Sequence, residues 1–103
     1  MYNIEKTIEF DKWLKKLKDL TGKAKILIRI QKIEKEGHFG DCKQVGEGIR
    51  ELRINHANGY RVYFTEHKFK VILLLLGGNK TSQNQDIKKA KLILKNLSKN
   101  KKH

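Results

Sequence analysis

The chain has no proline, one cysteine and no long apolar run. Without proline, repeats or a linker-like stretch, nothing in its 103 residues marks an internal boundary, so residues 1–103 are expected to form one domain with one modest core. Cys42 alone cannot close an internal disulfide, which fits a reducing compartment. The longest apolar stretch, Val71–Leu76, falls far short of the roughly 20 residues that cross a bilayer. Nor does a charged start lead into an apolar stretch, as in a secretory signal. A cytoplasmic protein is the expectation.

Acidic residues are also few: 24 Lys+Arg against 11 Asp+Glu leave a formal charge of +13. A field of that size attracts RNA, DNA or an acidic protein and says nothing about fold. Within the surplus arginine is scarce. Only Arg29, Arg50, Arg53 and Arg61 are present, and three of the four lie within residues 50–61. Arginine is the planar, bidentate reader of phosphate, so this clustering is not explained by lysine abundance.

The patterning that remains is regular. Tyr2, Ile4 and Ile8 suggest a first strand over residues 2–8. Phe10, Trp13, Leu14 and Leu17 give a helical stripe over residues 8–19, and Ile26, Leu27, Ile30 and Ile33 another over 22–36, an expected antiparallel helical hairpin. Residues 37–48, with four glycines, read as loop. Leu52, Ile54, Val62 and Phe64 then alternate with Glu51, Arg53, Arg61 and Tyr63, so each set shares one face of a hairpin. The turn spans residues 55–59, with Asn58 and Gly59 suited to positive φ. Residues 60–65 return, 66–68 turn again, and 69–76 complete the meander. Ser82 and Gln85 resemble a capping box for a last helix whose stripe is Ile87, Ala90, Leu94 and Leu97. Residues 98–103 read as a basic, frayed tail. The expected class is α+β: a small antiparallel sheet with an N-terminal helical hairpin and a C-terminal helix, ordered β-α-α-β-β-β-α.

Several stretches carry a resemblance across nearly the whole chain. They are Phe10-Asp11-Lys12-Trp13-Leu14, Gly40-Asp41 with residues 45–48, Glu51-Leu52-Arg53-Ile54, Gly59-Tyr60-Arg61-Val62-Tyr63-Phe64, and residues 74–83 with Asp86-Ile87. In this order they resemble the RelE/ParE superfamily of toxins from type II toxin–antitoxin modules, most closely its RelE/HigB-like branch. The resemblance implies a small basic toxin neutralised by a cognate antitoxin. Its RelE-type members cleave mRNA at the ribosome; its ParE-type members inhibit DNA gyrase, so fold does not settle activity. A nucleic-acid-binding module without catalysis is a third reading.

RNA cleavage without a metal needs a 2′-hydroxyl deprotonated, the phosphorane charge stabilised and the 5′-oxygen protonated. The resemblance places Arg61 at the scissile phosphate, with Arg53 and Lys80 at other basic positions, and these three are the expected phosphate-binding floor. His56 is a candidate for proton transfer, having an unperturbed pKa near 6.5. Tyr63 is expected to stack on a base or position a phosphate, and Arg50, Lys88 and Lys89 to contact RNA. The chain departs from RelE in having Ile87 where those toxins place a C-terminal tyrosine, and Glu51 at one of the basic positions. His56 and Asp86 echo the histidine and acidic residues of HigB toxins. No cofactor is expected. His38 and Cys42 do not make a zinc site, and Gly77-Gly78-Asn79-Lys80 lacks the spacing of a nucleotide P-loop.

Overall fold

A computed structural model of the protein describes residues 1–100. The elements are β1 (Asn3–Lys6), α1 (Ile8–Lys16), α2 (Leu20–Glu36), β2 (Cys42–Gly46), β3 (Ile49–Ile54), β4 (Tyr60–Lys68), β5 (Val71–Asn79) and α3 (Gln83–Asn100). They build one five-stranded sheet in the order β1-β5-β4-β3-β2. The α+β class read from the sequence holds, with two differences. β1 pairs parallel with β5, so the sheet is mixed rather than wholly antiparallel. β2 lies within the stretch expected to be loop.

That edge strand was hidden by its glycines. Gly46 ends β2, and Glu47 (φ 55) and Gly48 (φ 77) form a two-residue connection with positive φ at both positions. This is the twist a tight hairpin demands. The strand itself is short and largely exposed, as edge strands commonly are. In the β3–β4 turn the positive φ falls on Ala57 (53) and Gly59 (74), not on Asn58. The β4–β5 connection is tighter than expected, because pairing continues to Lys68↔Val71 and leaves only Phe69 and Lys70 to turn. α3 runs through Asn100, so the tail expected to fray from Ser98 is helical there; residues 101–103 lie outside the described residues.

Local chemistry sets the helix ends. The Thr7 hydroxyl accepts from Phe10 N–H at 3.0 Å and donates to Leu75 O at 2.6 Å, capping α1 while tying it to β5. Asp19 caps α2 by accepting from Gly22 N–H at 3.0 Å, and Gly37 (φ 67) ends it in the left-handed conformation. Trp13 of α1 lies flat against Gly77 of β5, where any side chain would collide with its ring.

The sheet has a helical layer on each face. On one, Phe10, Ile26, Ile30 and Ile33 of α1 and α2 meet Leu52, Ile54, Val62, Phe64, Ile72 and Leu74. Each fully buried side chain of this kind stabilises by about 1.5–3 kcal/mol relative to exposure. On the other, Ala90 and Ile93 of α3 meet Ile49, Tyr63, Leu75 and Leu76. The alternation alone left open how deeply the set Glu51, Arg53, Arg61 and Tyr63 is buried. In the structure α3 covers part of this face, and both Glu51 and Tyr63 are fully buried.

Candidate functional site

The site grows from one block of four residues. β3 and β4 pair so that Glu51 lies opposite Tyr63 and Arg53 opposite Arg61, and the strand period puts all four on the α3 side. Two arginines directly across a ladder repel each other. The buried Glu51 carboxylate offsets that repulsion. Arg53 Nε donates to its Oε1 at 3.0 Å, and Arg61 Nη1 stands 3.7 Å from the same oxygen. Oε2 accepts from the Tyr63 hydroxyl at 3.1 Å and from Gln83 Nε2, in the first turn of α3, at 2.8 Å.

Burial alone would push the Glu51 carboxyl up. The hydrogen bonds from Arg53, Gln83 and Tyr63, with the Arg61 charge, outweigh it and hold the group below its ordinary value. Burial, reinforced by Glu51, pushes the Tyr63 phenol far up. The hydrogen bond to Glu51 raises Arg53 further. The cluster is therefore ionised around one carboxylate, and it retains open donors. Among the described residues Arg61 Nε finds no hydrogen-bond partner although it is buried, a costly arrangement.

Arg53 and Arg61 open into a polar cleft of about 500 Å³, also lined by Asp41, Asn58, Lys80 and Thr81. The β3–β4 turn and the β5–α3 connection form its walls. Lys80 N–H donates to Asn58 O at 3.3 Å, joining them. Asn79 Oδ1 accepts from Thr81 and Ser82 N–H at 2.9 and 3.1 Å, folding the chain back into α3. Gly78, paired with Arg61, allows this return: a side chain there would collide with Asp86. The Ser82 hydroxyl donates to Asp86 Oδ2 at 2.5 Å, in place of the capping box expected with Gln85.

The expected site residues divide sharply. Arg53, Arg61 and Lys80 come together. His56 does not join them: Nε2 lies 3.3 Å from Asp19 Oδ2 and its ring stacks on Tyr60. Tyr63 cannot stack on a base, because its ring is fully buried under α3 and its hydroxyl belongs to Glu51. Arg50 is on the opposite face of β3, its guanidinium carbon 4.5 Å over the Phe39 ring and 5.1 Å over Phe64. Lys88 and Lys89 are exposed on α3, and Lys89 borders a separate groove with Trp13, Lys12 and Lys16. Glu51 and Gln83 are the members that sequence reasoning missed. The i, i+2 spacing of Glu51 and Arg53 signalled a pair but not its burial. A second hollow of about 510 Å³ near Leu73, Leu94 and Leu97 is apolar and lacks such a cluster. Among the described residues no three His, Cys, Asp or Glu side chains gather as metal ligands, and no helix is long and apolar enough to cross a membrane.

This architecture has relatives. The family described as phage derived protein Gp49-like (DUF891) matches residues 12–98. The chain belongs to that Gp49-like family. A Haemophilus influenzae protein described as uncharacterized is 49% identical to it over 94 residues, 91% of this chain and 94% of the relative. A chain of the intact E. coli RelBE toxin–antitoxin complex shares the fold with a TM-score of 0.64 at 16% identity, over 77% of this chain and 96% of its own. The isolated E. coli RelE toxin gives 0.63 at 15% identity, over 85% and 97%. A RelE mutant with two arginines replaced by alanine, in the free state, gives 0.63 at 16% identity, over 80% and 87%. The Gp49-like protein thus has the fold of the RelE/ParE superfamily.

Proposed function

We propose that this Gp49-like protein is the toxin of a toxin–antitoxin pair, a metal-independent endoribonuclease that cuts mRNA on the ribosome in the cytoplasm and is silenced by a cognate antitoxin. One observation carries the reading: Arg53, Arg61 and Lys80, from two strands and the connection to α3, line a single polar cleft. An RNA phosphodiester presents one negative charge. When the deprotonated 2′-oxygen attacks, the phosphorane carries a second, and fixed cations around it lower the barrier. The P–O5′ bond then breaks, leaving a 2′,3′-cyclic phosphate and a 5′-oxygen that takes up a proton to become a hydroxyl. Removing one such oriented donor costs about 10²–10³-fold in rate. The family and fold supply the rest of the support: the RelBE complex pairs a protein of this fold with an antitoxin, and a +13 chain suits an acidic partner as well as RNA.

The test is brief induction of the chain without an antitoxin, followed by primer extension on cellular mRNA. New cuts inside translated frames are expected, with Arg61→Ala and Lys80→Ala each lowering them by about 10²-fold or more. Full cutting by both variants refutes the site. Intact mRNA refutes the nuclease.

A further inference from the structure

Among the described residues, Glu51 is the only fully buried charged side chain. A buried carboxylate is a poor device for stability alone, since well-packed apolar residues often serve as well. Its geometry suggests a different purpose. Its partners come from three elements: Arg53 from β3, Tyr63 from β4 and Gln83 from α3, all hydrogen-bonded, and the Arg61 charge from β4. Tyr63 and Gln83 fix Oε2 at 3.1 and 2.8 Å, so the carboxylate cannot rotate. Oε1 is then a single fixed point facing both guanidiniums, at 3.0 and 3.7 Å. Arg53 reaches it through Nε, which leaves both terminal nitrogens without a partner among the described residues. Arg61 approaches the same oxygen through Nη1 and lines the cleft beside Arg53.

We infer that Glu51 is the positioning residue of the cleft, aiming the guanidiniums of Arg53 and Arg61 at one phosphate. The inference rests on the ribonuclease reading above and extends it to charge balance. Arg53, Arg61 and Lys80 set against Glu51 and Asp41 leave a net +1 at the cleft. Without Glu51 that net charge would rise to +2, and Arg53 and Arg61 would lose their common anchor. Uncut RNA would gain as much as the transition state, and such uniform binding does not accelerate the chemistry. Glu51 therefore favours cutting over holding.

The experiment measures single-turnover cutting of mRNA on programmed ribosomes by purified wild type, Glu51→Gln and Tyr63→Phe. Alongside, each is titrated with an RNA carrying a 2′-deoxy substitution at the cut position, and its folded fraction is determined by thermal unfolding. Glu51→Gln is expected to cut about 10²-fold more slowly, the scale of one lost oriented donor, while binding the uncut RNA as tightly as wild type or more so. Tyr63→Phe keeps the ring and removes one hydrogen bond to Oε2, and its cutting is expected to fall about 5-fold with binding unchanged. Wild-type cutting by a folded Glu51→Gln overturns the positioning role and leaves the ribonuclease reading standing. Cutting and binding that fall together with the folded fraction also overturn it. If Glu51→Gln does not fold, Tyr63→Phe decides, and a wild-type rate in that variant overturns the role. A wild type that leaves mRNA whole overturns the ribonuclease reading and this inference with it.

Discussion

Arg29 and Arg50 lie on the α2 side of the sheet, and Arg53 and Arg61 on the α3 side; the two pairs differ in what their guanidiniums still have to give. Arg29 donates to the carbonyls of Arg53, Phe39 and Asp41 at 2.5, 2.8 and 3.1 Å. Arg50 lies over two phenylalanine rings with Glu66 at 4.0 Å. Both are committed to the protein's own groups. Arg53 and Arg61 share one carboxylate and line a cleft. Proximity in sequence thus misleads about proximity in space. Arg50 and Arg53 are three apart on one strand, and an odd separation places them on opposite faces.

The sharpest way to break this contrast is Arg61→Lys. Lysine keeps the charge but loses the planar fork. If Arg61 acts as an oriented phosphate donor, cutting should fall about 10²-fold, or ~2.7 kcal/mol of barrier, while the urea midpoint barely moves. Wild-type cutting by this variant would reduce Arg61 to a diffuse positive charge and erase the distinction from Arg50.

Arg29→Ala probes the other pair. Its loss removes three hydrogen bonds to backbone acceptors around the start of β2 and the end of β3; among the described residues, outside the strand ladders, only Asp41 O keeps another donor, Arg53 N–H. Charge-assisted hydrogen bonds contribute about 1.5–3 kcal/mol each but do not add fully, so a net destabilisation of about 2–3 kcal/mol is expected. Urea unfolding with an unchanged m-value checks it, and a loss below half of that would mean water replaces the guanidinium.

How much of this was legible in the sequence depends on the range of the interaction. Phe10, Ile26, Ile30 and Ile33 announced their helices, and Leu52 and Val62 their strands, because those patterns are local and repeat along several turns or pleats. β2 was not legible, since a short polar edge strand among glycines carries no such period. Arg53, Arg61 and Lys80 could be grouped because a period of two and a short connection bring them together. The burial of Glu51 and Tyr63 could not be read. It depends on α3 folding back over the sheet, which needs the bare backbone of Gly78 beside Asp86. His56 misled for a similar reason: Tyr60 is its neighbour within the hairpin, but its charge partner Asp19 is brought to it only by the docking of α2.

The Glu51 cluster also predicts a pH response. Its folded-state value lies below the ordinary 4.5, so its stabilisation is complete above that unfolded-state value. It is lost as pH falls through the lower folded one. Between about pH 5 and 3, the urea midpoint of the wild type should fall more steeply than that of Glu51→Gln. Parallel slopes would mean that Glu51 does not gain its ionised form on folding. Asp11 and Asp19, also lowered, titrate in both proteins and cancel in the comparison.

Arg50→Ala is the mildest of these tests. The guanidinium sits over the stacked Phe39 and Phe64 rings, whose centroids are 5.7 Å apart, and Glu66 at 4.0 Å adds little in water. A cation over aromatic faces at a half-exposed site contributes about 0.5–1 kcal/mol, so that is the expected loss of stability, read as a small shift of the unfolding midpoint. Cutting should match wild type, because the sheet itself separates this side chain from the cleft. A loss of cutting larger than the loss of folded protein would place RNA on both faces of β3. The division between the two arginine pairs would then be one of degree.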